Sequence, residues 1–221
     1  MKSKLKYFGL STLVIASCFF LLKGAGIDLK FNDRAEIASV PESVIVDARD
    51  GNQYNYLKIG ELYWLKESLR FKAPESECYK GIEQNSTEYG RLYSYSDSRI
   101  ACPEGWRLPN PKDWKGLKKR MKSSKADKII VPGKWEDEKF ANASNALGLS
   151  ILPSGRKDEH GASFRGERFG ELGISASFWL DDTELHWHVR WGKSQMHKHG
   201  DIRVQGRKFA VRCVCEELPK E

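Results

Sequence analysis

The chain has 221 residues, 40% of them hydrophobic and 11% aromatic, enough to bury one good core but too few for two domains of ordinary size. Its formal charge of +7 falls if cleavage before Cys18 removes three lysines, leaving 34 basic against 30 acidic residues, or +4. Net charge alone therefore selects no partner, and only the clustering of basic residues is informative.

Lys2, Lys4 and Lys6 precede an uncharged run from Tyr7 to Leu22, the pattern of an export signal rather than of a fold. Its sixteen residues fall short of the roughly 20 that a spanning helix needs, which favours cleavage. Within it, Ile15-Ala16-Ser17-Cys18 resembles the lipobox of bacterial lipoproteins, in which small residues precede a Cys that is lipidated and becomes N-terminal. Three outcomes stay open for residues 1–23: a lipoprotein anchored through Cys18, an uncleaved membrane anchor, and a cleaved signal with secretion. All three place the remainder outside the cytoplasm, in the envelope, on the outer surface or released. Residues 24–43 mix charges without an apolar period and read as a linker, with one domain over 44–217.

Val44-Ile45-Val46, the polar turn Asp50-Gly51-Asn52 and the run Tyr54 to Ile59 predict a β-hairpin. Further on, Asn110 as cap, Pro111 in the first helical position and Asp113 in the first turn predict a helix start. Trp114, Leu117 and Met121 form its apolar stripe, with Lys115, Lys118, Lys119 and Lys122 directed elsewhere. Short Gly- and Pro-punctuated segments follow up to Lys208–Cys215, a pattern rich in strand. Cys78, Cys102, Cys213 and Cys215 remain after Cys18, an even number in an exported chain, and read as two disulfides with three connectivities open. Zinc held by them is not expected, because Cys213-Val214-Cys215 is too tight and the other two stand alone.

Seven fragments occur in order that together resemble one domain family. They are Asp50-Gly51-Asn52-Gln53-Tyr54; Lys58-Ile59-Gly60 with Trp64 to Leu69; Tyr89-Gly90-Arg91-Leu92-Tyr93; Ala101-Cys102-Pro103-Glu104-Gly105-Trp106-Arg107-Leu108-Pro109; Leu152-Pro153-Ser154-Gly155-Arg156; Phe178-Trp179; and Val211-Arg212-Cys213-Val214. The resemblance is to the Fibrobacter succinogenes major paralogous domain of exported bacterial proteins, itself similar to C-type-lectin-like domains. It implies an α+β, C-type-lectin-like fold with short antiparallel strands, two helices and two disulfides. It further implies a bridge from Cys102 in the first helix to Cys213 in the last strand, and with it a pairing of Cys78 with Cys215. No catalytic machinery comes with it, since the shared positions are structural Trp, Gly, Pro and Cys, and no enzyme is expected.

Four of the five histidines fall between His186 and His199. Strand alternation puts Trp187, Val189 and Trp191 on a core face and His186, His188 and Arg190 on an outward face. With Lys193-Ser194 as the turn, His188 would stand opposite His199 and Arg190 opposite His197. Facing imidazoles can take zinc or copper, which makes His188 and His199 the candidate metal ligands; an anion-binding patch that responds to pH and a solvated face are the other readings. Asp181, Asp182 and Glu184 follow Phe178-Trp179-Leu180 and offer hard oxygen ligands to calcium, although the Glu-Pro-Asn and Trp-Asn-Asp signatures of sugar lectins are absent. From Lys112 to Lys128, eight Lys or Arg face two Asp, a charge that attracts polyanions. Without interleaved aromatic residues it suits acidic glycans or lipid headgroups rather than nucleic acid. The expectation is therefore an exported, surface-attached, non-catalytic module that binds a glycan or another cell-envelope ligand, with no required cofactor. The alternative is a structural or protein-protein interaction module of the envelope, whose partner the sequence does not name.

Overall fold

The computed structural model describes residues 43–122, 125–159, 167–182, 185–190, 192–198 and 206–219. Cys18, the segment 1–23, the linker up to residue 42, Glu184, Trp191 and His199 lie outside them. The described residues form a mixed α+β unit of ten strands and three α-helices.

The hairpin comes first. Strand β1 (Val44–Val46) pairs antiparallel with β2 (Gln53–Ile59), and Gly51 takes φ +74° in the turn, where a side chain would be strained. β2 continues to β3 (Leu62–Leu65), and β3 pairs with the last strand, β10 (Val214–Cys215), so that both ends of the domain share one sheet. Three helices follow β3: α1 (Glu83–Tyr89), α2 (Tyr95–Ala101) and α3 (Pro111–Met121). At α3 the expected start is present in full. The Asn110 side chain accepts from the backbone of Lys112 and Asp113, the Asp113 carboxylate accepts from Asn110 N, and Trp114, Leu117 and Met121 are buried. The helix ends at Lys122, whose φ of +56° closes it against Lys119 O.

The second sheet has the order β5 (Phe169–Leu172), β4 (Ser154–Asp158), β6 (Ser175–Trp179), β7 (Leu185–Arg190), β8 (Lys193–Lys198), and β9 (Arg207–Lys208) joins the edge of β4. It is covered on both faces. On one face Ala176, Phe178, Trp187 and Val189 join α3 and Trp64 in the larger core, with Trp64 and Trp114 ring centroids 4.8 Å apart. On the other, Trp179 packs with Phe209, Tyr93 and Trp106 in a second core that includes Cys213.

Three expectations from the resemblance are corrected here. The strand pairs are not all antiparallel, since β4 and β6 pair in parallel. Three α-helices are present among the described residues rather than two, because the segment between β3 and Cys102 folds as two short helices, α1 and α2. Among the described residues one disulfide is present rather than two: Cys102, capping α2, is bonded to Cys213, 111 residues on, whereas Cys78 and Cys215 are buried free thiols. Their surroundings explain it. Cys215 is paired in register with Tyr63 and belongs to the second core. Cys78 opens a 3-10 turn, accepts a hydrogen bond from Arg91 Nη1 at 3.0 Å, and has Glu83 and Ser86 as further neighbours. Burial raises both thiols, Cys215 to about 11, which leaves them unreactive.

Candidate functional site

Strand register decides what becomes of the histidines. Arg190 pairs with Lys193, His188 with Gln195 and His186 with His197. The turn therefore closes earlier than expected, with Gly192 at φ +72°. The proposed pairing of His188 with His199 and of Arg190 with His197 is overturned, although the shared face is kept because the shift is an even number of residues.

That face is not outward. His186 is buried, with its ring 4.7 Å from that of Phe209, and the His188 side chain is only 12% exposed; His197 alone is exposed. Alternation had identified the two faces but could not reveal that residues from other strands cover the second. Rings of His186, His188 and His197 lie 5.1–6.0 Å apart. Arg156 and Arg190 approach from the same side and converge on Glu171: Arg190 Nη1 donates to Oε1 at 2.7 Å, Arg156 Nη2 to the same oxygen at 3.3 Å, and Ser175 Oγ to Oε2 at 2.6 Å. Glu171 was missed from the sequence. It is 7% exposed and sits at φ +69° within β5, an irregularity that turns a strand carboxylate into a buried pivot.

Burial first, then the positive charges of His197, Arg156 and Arg190, push His188 down to about 3, so at neutral pH it is neutral and its 3.9 Å approach to Glu171 is not an ion pair. His197, although its side chain reaches solvent, is lowered by partial desolvation and then by Arg156. Two guanidinium groups beside the rings also oppose a second cation, and among the described residues no three His, Cys, Asp or Glu side chains converge as a metal site. The lowered His188 makes an acid prediction. The unfolded imidazole takes a proton below about 6.5 and the folded one only near 3. Stability is therefore complete above about pH 6.5 and falls with decreasing pH, by about 3 kcal/mol at about pH 4.5. Urea denaturation at a series of pH values should show this slope in the native chain and a flatter one in His188→Gln.

Of the acidic candidates, Asp181 and Asp182 lie among the described residues and each has a partner of its own. Asp181 forms an ion pair with Arg99, and Asp182 Oδ1 accepts from Leu185 N at 3.0 Å where the chain enters β7.

A second site is built from segments far apart in sequence. Bridges between Glu77 and Leu92 and between Tyr93 and Phe209 bring residues 74–77, the start of α2 and β9 around an open cleft of about 620 Å³. Its lining includes Glu75, Glu77, Tyr95, Glu159, Arg207 and Lys208, with Ser94 and Ser96 between them and Ser76 at the wall, its hydroxyl committed to Ala73 O and Arg91 Nε. The Tyr95 ring is held edge-on against Trp179, with centroids 5.3 Å apart, and its hydroxyl accepts from Arg99 Nη1 at 3.3 Å. The cations are tied down internally. Lys208 bonds Glu75 O and Glu77, Lys157 Nζ reaches the same Glu77 oxygen at 2.7 Å, and Arg207 Nε bonds Asp158 at 2.8 Å. Burial raises the Glu77 carboxyl, but the two lysines outweigh it and hold the group below its ordinary value. The result is a fixed rim of hydroxyls, carboxylates and one aromatic ring, open to water. None of its residues carries a local sequence signal.

The family model described as the Fibrobacter succinogenes major domain matches residues 57–215, from within β2 to the end of β10. No curated protein and no solved structure matches the chain. With the matched span covering β3 to β10, all three helices and the Cys102–Cys213 bridge, the chain belongs to the Fibrobacter succinogenes major domain family.

Proposed function

We propose that this chain is an exported, surface-attached, non-catalytic binding module with a C-type-lectin-like fold, whose cleft beside Tyr95 takes a glycan or another polyhydroxylated ligand of the cell envelope. The observation that carries the reading is the composition of that cleft. Apolar, enclosed pockets suit drug-sized ligands, whereas this one is open and lined by carboxylates, serine hydroxyls and one immobilised tyrosine ring. Carboxylates accept from the hydroxyls of a saccharide, serines both donate and accept, and an aromatic ring offers its face to the C–H side of a sugar. The charged start and apolar run before residue 23 support export and attachment, and the bridge from the end of α2 to the residue before β10 supports the lectin-like comparison.

A binding role fits the carboxylates better than hydrolysis does. Glycoside cleavage needs one carboxyl that stays protonated near neutral pH, and Lys157 and Lys208 hold Glu77 below its ordinary value, which disqualifies that carboxyl as the acid. For the protein-interaction alternative, the exposed apolar side chains Val46, Ile82 and Ile100 are single residues of the kind soluble domains ordinarily carry. A glycan array probed with the native chain, with and without calcium, should return hits of roughly millimolar affinity. Tyr95→Ala should weaken them about tenfold or more, the loss expected of an aromatic anchor. An array without hits, or hits indifferent to Tyr95→Ala, would sink the reading.

A further inference from the structure

A separate groove of about 740 Å³ lies between the β2–β3 turn and the end of α3, lined by Lys58, Lys119, Arg120 and Lys122 with Ile59 and Leu147 on its floor. Its cations are placed by backbone geometry. Gly60, at φ +69°, leaves the turn so bare that a Cβ there would come 3.3 Å from Arg120 Nε, and the guanidinium lies directly over the turn. Lys122, left-handed at φ +56°, ends α3 and joins the lining there. Lys58 sits 5.0 Å from the centre of the Tyr63 ring. Among the described residues no carboxylate lines the groove, in contrast to the Tyr95 cleft, where the cations are neutralised by Glu77 and Asp158.

We propose that this groove binds an acidic polysaccharide, a chain bearing repeated carboxylate, sulfate or phosphate groups. Four like charges around one concavity focus the potential inside it, and a linear polyanion can place successive charges against them while displacing its counterions. The shape argues against a bilayer, whose flat surface meets the outermost side chains but cannot enter a groove. The lining argues against nucleic acid, since no aromatic ring in it offers a stacking platform for bases. The inference stands apart from the Tyr95 cleft and does not depend on that cleft holding a glycan.

Binding of the full chain to dextran sulfate, neutral dextran and phosphatidylglycerol vesicles tests it. The native chain should bind dextran sulfate with an affinity that falls steeply with added salt, and should not bind neutral dextran. Combined Lys119→Gln, Arg120→Gln and Lys122→Gln should weaken dextran sulfate binding at least tenfold. Combined Lys112→Gln, Lys115→Gln and Lys118→Gln, which removes the same charge from the same helix outside the groove, should change it less than twofold. Arg120→Gln alone, with an expected threefold loss, replaces the triple variant if circular dichroism shows that the latter does not fold. Equal losses in the two triple variants, no binding of dextran sulfate by the native chain, or groove-dependent binding of vesicles alone would overturn the proposal.

Discussion

Replacing Arg212 by methionine is expected to destabilise the folded domain by about 3 to 5 kcal/mol, measured as a shift in the urea midpoint at pH 7. Arg212 is 1% exposed, and its Nη1 donates to Leu65 O, Lys66 O and Leu149 O, the last at 2.7 Å. One guanidinium thus ties the end of β3 to the loop before β4. Burial lowers the group to about 10 against a weak opposing pull from Glu67, so it stays charged at pH 7. Methionine has a comparable stem and fills much of the volume but donates nothing, and buried carbonyls left without partners carry the cost. Arg212→Lys keeps the charge yet lacks the planar fork, and its expected loss is intermediate. A loss below about 1 kcal/mol for methionine would mean that the carbonyls find other donors.

Removal of the Cys102–Cys213 bridge has an effect of the same order. It closes a loop of 111 residues, for which the chain-entropy model gives about 4 to 5 kcal/mol. Double replacement by alanine should lower the urea midpoint accordingly, while Cys78→Ser combined with Cys215→Ser should leave no bridge broken. Non-reducing peptide mapping of the native chain should recover one cross-linked pair from these four cysteines, Cys102 with Cys213. A Cys78–Cys215 peptide would contradict the structure.

What was legible in the sequence was local. Asn110, Pro111 and Asp113 announce α3 because capping is decided within four residues, and the β1–β2 hairpin is carried by its own turn. Alternation in Leu185–Arg190 correctly separates Trp187 and Val189 from His186 and His188. Alternation is silent on what packs against either face, so the histidines were placed in water when Phe209 and the Arg156–Glu171–Arg190 group cover them. The register of β7 on β8 depended on where the turn closed, and a polar stretch rich in Lys, Ser and His does not fix that. Glu171 had one faint signal, a carboxylate between Gly170 and Gly173 in a short strand, since glycine inside a strand often marks a bulge. The Tyr95 cleft had none, being assembled from four segments by long-range bridges. Only the resemblance, not any local pattern, pointed to Cys102 with Cys213, and its extension to Cys78 failed because side-chain surroundings, not an even count, decide whether two sulfurs meet.

Chemical-shift mapping tests the central claim most directly. The isotope-labelled native chain would be titrated with the strongest glycan from the array while amide shifts are followed. Binding at the cleft predicts saturable changes concentrated at Glu75–Glu77, Ser94–Ser96 and Arg207–Lys208, absent from Tyr95→Ala at the same concentrations. Saturable changes confined to other surfaces, with those three segments unmoved, would contradict it.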